Sequence, residues 1–178
     1  MFGRYENFPE NVHGITLFEY QDSAKDVQKA VLCTFHRLNQ ETFDLGAVTP
    51  YLKQKCEVSF EFGVADGVGF NFLDQKELEQ CLKSVDEAEV ETLDFFFAVC
   101  YHRAGDGGKR VPLRFDYYVL RFSFQEGGLE LRIRHERGTQ RVPLDDLADF
   151  LVKQINVELS RRQLAPLFFG AFKKVSVQ

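Results

Sequence analysis

The sequence predicts an α+β protein with a single mostly antiparallel sheet of five to six strands and two to three packing helices, in the order β-α-β-β-α-β-β-β-α. Three observations predict it. Apolar residues recur with a period near 3.6 in some windows and with a period of two in others. The links between consecutive strand windows are short and glycine-bearing, which makes neighbouring strands antiparallel hairpins. The 178 residues, 44% hydrophobic and 28% charged, suffice for a core without disulfides or a structural metal. Residues 1–178 are therefore expected to form a single α+β domain, with 164–178 an apolar C-terminal extension.

Gly14 to Tyr20 (GITLFEY) is predicted to be a short strand, and Ser23 followed by Asp26 is a capping-box-like helix start. Val27, Val31, Thr34, Phe35 and Leu38 then repeat at helical spacing, with Lys25, Lys29 and Arg37 left to water. After a looser stretch to Pro50, Cys56, Val58, Phe60 and Phe62 alternate with Glu57, Ser59 and Glu61. Asp66-Gly67 supplies a tight turn, and Val68, Phe70 and Phe72 are expected half-buried on the returning strand. Asp74 with Glu77 opens a second helix carrying Leu78 and Leu82 inward.

An acidic connector over 86–94 leads into three strands, Phe95 to Arg103, Val111 to Phe124 and Leu129 to Arg137, joined by glycine-rich links. In the middle strand the inward set is expected to switch phase, from Leu113, Phe115 and Tyr117 to Leu120, Phe122 and Phe124, through a bulge or bend. Pro143 opens a last helix, where Leu147, Leu151, Ile155 and Leu159 form one stripe. This element order is shared with profilin-like and roadblock or longin-type domains, an analogy of order alone.

The net charge of −5 excludes a generic polycation, yet the charge is unevenly spread. Residues 1–100 are strongly acidic and residues 101–178 basic, so a molecule whose halves segregate in space has a dipole that favours self-association. No window holds the ~20 apolar residues of a membrane helix, and the first residues (MFGRYENFPENVHG) lack the apolar core of a leader, so the expected location is cytoplasmic, with no membrane partner. Cys33, Cys56, Cys81 and Cys100 stand singly, without metal-ligand spacing, and are expected to be buried free thiols; no metal and no cofactor is expected. Cys100 shares a strand face with His102, the only pairing that resembles a nucleophile beside a base.

Candidate binding chemistry falls in three places. Lys109 and Arg110, in the glycine-rich loop His102 to Arg110, and Arg132 and Arg134, on the outward face of the next strand, are the candidate contacts for an anion, whether a phosphorylated ligand or RNA. The sequence pI near 5.4 makes nucleic acid the least favoured of these. Phe95-Phe96-Phe97 breaks alternation, so at least one ring faces away from the main core and needs a helix, a ligand or another chain over it. The tail places Leu167, Phe168, Phe169 and Phe172 in an uncharged run that either folds back on its own sheet or docks on a neighbouring subunit. The function expected from this set is a non-catalytic protein-interaction or scaffold module, self-associating or bound to a protein partner. A sensor domain binding a small apolar ligand is the alternative, and RNA or a phosphorylated ligand the weaker one.

Overall fold

Every predicted helix and hairpin assembles on one antiparallel sheet in the computed structural model, which describes residues 1–52, 55–104, 106–169 and 172–175. The strands are β1 (Gly14–Glu19), β2 (Thr42–Asp44), β3 (Glu57–Asp66), β4 (Gly69–Phe72), β5 (Thr92–Ala104), β6 (Arg110–Gln125), β7 (Gly128–Arg137), β8 (Phe168–Phe169) and β9 (Lys173–Lys174). The α-helices among the described residues are α1 (Ala24–Leu38), α2 (Leu45–Val48), α3 (Gln75–Glu87) and α4 (Leu144–Arg161). Strand order is β2-β3-β5-β6-β7-β1-β8, with β4 beside β2 on the outer side of β3 and β9 beside β8 on the outer side of β1.

The sheet is therefore larger than the five to six strands expected, and a fourth helix joins the two to three. The additions are short. β2 and α2 lie in the stretch before Pro50 that shows no clear period, and β8 and β9 are two-residue pairings of the tail. Pieces this brief carry too little alternation to announce themselves; they form because β3 and β1 each present a free edge for them to bond.

The helices cover one face. Ser23 accepts the Asp26 N–H at 3.1 Å and Asp74 that of Glu77 at 2.8 Å, as the capping patterns require. α1 lies between α3 and α4 and drives Phe35 into the core, 4.2 Å from the ring of Phe62 and 4.8 Å from that of Phe95. Phe150 of α4 closes on Phe43 and Phe60. Beneath them β3 contributes Val58, Phe60, Phe62 and Val64, β5 contributes Phe95, Phe97 and Val99, and β7 contributes Leu129, Leu131 and Ile133.

The expected phase switch in β6 does not occur. Tyr118, Leu120, Phe122 and Phe124 face the helices, but Asp116 continues that same phase, while Phe115 and Tyr117 point to the other side of the sheet. The irregularities sit elsewhere: pairing shifts between Tyr101 and His102 against β6, where Leu113 is the extra residue, and between Tyr117 and Tyr118 against β7, where Glu136 is the extra residue. Likewise Phe70 opposes Ala65 and Phe72 opposes Gly63, so the β4 rings stand on the open face, with Val68 exposed at the turn.

Candidate interaction face

The side of the sheet away from the helices is divided in two. One end is crossed by residues 1–13, which bond into the sheet as a strap containing turns. Gly3 N–H donates to Ala65 O at 2.8 Å and its carbonyl accepts the Asp94 N–H at 2.6 Å. Gly3 holds φ at +84°, and a Cβ there would meet Thr92 O at 2.6 Å, so only glycine allows this approach. Below the strap Asp94, fully buried, binds Arg121 through two 2.7 Å bonds and accepts the Tyr5 N–H at 2.7 Å. The Arg121 guanidinium also donates to Tyr5 O at 3.3 Å and lies 4.2 Å from the Phe8 ring centroid.

No segment crosses the other end among the described residues. From Tyr5 of the strap toward that end a row of aromatic rings crosses the strands: Tyr5 to Phe70 at 4.7 Å, Phe70 to Phe96 at 5.8 Å, Phe96 to Tyr117 at 5.7 Å and Tyr117 to Phe115 at 6.3 Å. Phe115 is 43% exposed and Phe72 55%. Phe96 is the ring that the Phe95-Phe96-Phe97 triplet sends away from the core; Phe95 and Phe97 are fully buried on the helix side. Between strap and row lies a cleft of about 750 Å³, floored by Phe70, Phe96 and Val119 and walled by Tyr5, Pro9 and Arg134. That size suits a ligand or a turn of peptide chain.

The predicted anion contacts are not gathered into one site. Arg132 bonds Glu130, and Arg134 pairs with Glu136 at 3.4 Å while donating to Asn11 O at 2.7 Å. Arg110 pairs with Glu57 at 3.1 Å and donates to Thr42 at 3.0 Å. By the pairings of β5, β6 and β7, the Arg132 and Arg110 levels are separated by the stretch from Asp94 to Ala104, roughly 30 Å at ~3.3 Å per residue. Lys109 stands exposed at the hairpin end, beside Gly107 and Gly108, both at positive φ. Gly105, in the same link, lies outside the described residues.

The tail residues attach to their own chain. Phe168 and Phe169 pair by backbone with Glu19 and Phe18, Leu167 is buried, Phe168 is 50% exposed, and the Phe172 ring packs into the space left by the missing side chain of Gly14. Cys100 and His102 do share the open face, but His102 Nε2 is hydrogen-bonded to Ser59 Oγ at 2.9 Å. Burial, with Glu61 adding to it, pushes the Cys100 thiol up to about 11, which keeps it protonated at neutral pH.

A buried polar cluster that sequence reading missed fixes the edge of this face. Asp116 accepts the Tyr101 hydroxyl at 2.7 Å, the Gln140 N–H at 2.7 Å and the Arg141 N–H at 3.3 Å, with His135 Nε2 at 3.0 Å. Burial by itself would raise the Asp116 carboxyl, but these donors outweigh it and hold it below the usual carboxylate value. The cluster ties the 138–142 loop against β6, beside Phe115. An acid in the core phase of a strand was its one sequence signal.

No family model, curated protein or solved structure matches this chain. Among the described residues no group of His, Cys, Asp and Glu is arranged to hold a metal ion, and no helix is long and apolar enough to cross a membrane.

Proposed function

We propose that the protein is an interaction module that binds another polypeptide through the open face of its sheet. The observation that carries this reading is the continuous aromatic row from Phe70 to Phe115, half-buried at Phe70, Phe96 and Tyr117 and exposed at Phe115, with exposed Phe72 beside it, on a face that is otherwise rigid β-structure. Exposed aromatic rings on a preorganised surface lose little conformational entropy on docking and supply large contact area, the pattern of binding hot spots. The edges of the sheet are less suited to the task, because β2, β4, β8 and β9 are all short and β9 consists of two lysines. A small apolar ligand in the cleft over Phe96 and Val119 is the second reading, favoured by its volume of about 750 Å³. A phosphate-directed function draws less support, since Arg110, Arg132 and Arg134 are each engaged by an acidic side chain.

The test is a photo-cross-linking amino acid placed at Phe115 in the living cell, compared with the same group at Val157, equally exposed at 43% on α4. Protein adducts confined to position 115 support the reading. Equal labelling at both positions, or none at 115, overturns it.

A further inference from the structure

Resting on that reading, we propose that the occupant of the open face is a second copy of this chain, packed sheet to sheet about a two-fold axis at the level of Cys100 and Phe115, each copy placing the end of its β5–β6 hairpin in the cleft of the other. Two facing sheets related by a two-fold that lies between them and perpendicular to the strands keep each strand over its own counterpart and reverse direction along it. Phe96 and Ala104 each lie four residues from Cys100 along β5, roughly 13 Å on either side at ~3.3 Å per residue. The operation therefore carries the rung where Ala104 opposes Arg110 onto the rung where Phe96 opposes Val119, and that second rung is the cleft floor.

Shape and charge both agree with this operator. The strap raises one end of the face, and the opposite end is bare, so each strap passes over the bare end of its partner, where a two-fold along the strands would set strap against strap. At the hairpin end, Gly107 and Gly108 have nothing within 4 Å of where a Cβ would stand, so there is open space beside both of them. Lys109 is exposed there, while the strap presents exposed Glu6 and Glu10, with Glu10 lining the cleft. Near the axis Phe115 meets its own counterpart, and Glu61, opposite Ala98, comes over the Glu57–Arg110 pair, whose guanidinium offsets the like charges. The uneven charge along the chain thus becomes two reciprocal attractions.

The experiment is light scattering and sedimentation on the full chain, using Lys109→Glu alone, Glu6→Lys with Glu10→Lys, and an equimolar mixture of the two variants. The wild type is expected to be a dimer whose dissociation constant rises with salt. Each variant alone sets like charges together at both contacts and should weaken dimerisation at least tenfold, whereas the mixture forms a mixed dimer in which both contacts are opposite in sign. Phe115→Asp should abolish association while leaving the circular dichroism spectrum unchanged. A wild type that is monomeric at about 100 µM, variants that dimerise like wild type, or a mixture that stays monomeric overturns the two-fold. If position 115 nonetheless cross-links to a different protein, the interaction reading stands and only the identity of the partner falls; with no cross-link, both fall.

Discussion

Arg121 reaches Asp94 across β5 and β6 through paired 2.7 Å bonds, and that buried carboxylate in turn receives the main chain of Tyr5. This ion pair thus anchors the strap over the open face together with the main-chain bonds of Gly3 and Glu6. Removing one partner of such a pair leaves a buried charge, at a cost of about 3–5 kcal/mol. Arg121→Met should lose about 3 kcal/mol in urea unfolding and, more specifically, accelerate hydrogen exchange at the amides of Gly3 and Tyr5 before the rest of the sheet. Unchanged exchange at those amides would show that the strap is held by other contacts.

Asp116 sets an acid limit. Its pKa is depressed in the folded state, so its contribution is complete above the ordinary value of 3.8 and is lost as pH falls through the lower folded value. His13 works in the same direction at higher pH. Burial first, then Arg134, lowers its pKa from 6.5, and its Nδ1 accepts the His135 N–H at 3.0 Å, so stability should begin to fall once pH drops below about 6.5. Asp116→Asn should cost about 2–4 kcal/mol at pH 7 and flatten the acid limb of the stability profile, read by denaturant midpoint against pH. A variant as acid-sensitive as wild type would contradict this assignment.

Gly14 makes room for Phe172. A Cβ at position 14 would collide with the ring, so Gly14→Ala should displace the tail, lower the thermal midpoint by several degrees and open 172–175 to protease. Adding Phe172→Ala to that variant should recover part of the loss, because the clash vanishes with the ring.

The two faces of β6 differ in what their rings do. Phe122→Ala, in the core beside Phe35 and Phe95, should cost about 3–5 kcal/mol, whereas Phe115→Ser on the open face, measured at protein concentrations low enough to keep both proteins monomeric, should change stability by less than about 0.5 kcal/mol. Comparable losses at both positions would place Phe115 in the core after all.

Alternation and capping made most of the architecture legible: Ser23 and Asp74 cap the helices they were expected to cap, and the Asp66-Gly67 turn sits between paired strands with Gly67 at φ +75°. The site was harder to read, for a physical reason. In β6 both phases carry aromatic rings, Phe115 and Tyr117 on one and Tyr118 and Phe122 on the other, so hydrophobicity alone does not say which side meets the helices. Asp116 decides it only once Tyr101, His135 and the 138–142 loop, each far away in sequence, are seen to satisfy it. Asn39 illustrates the same limit. It bonds the main chain of Phe62 and Leu73 through donors and an acceptor, filling the edge of β3 between β2 and β4 much as a strand would, and nothing local to position 39 announces that.

The place of β1 in the sheet has a consequence for how the protein is made. β1 is the first strand in the chain, yet its neighbours are β7 on one side and the tail pairings on the other. A nascent chain emerging from the ribosome must hold Phe18 and Thr16 uncommitted through the synthesis of more than a hundred residues, and the outer side of β1 finds its partners only once residues 168–174 have been made. Vectorial synthesis thus brings out α1 to β6 before either neighbour of β1 exists, so the strand that precedes them in sequence is among the last to be paired.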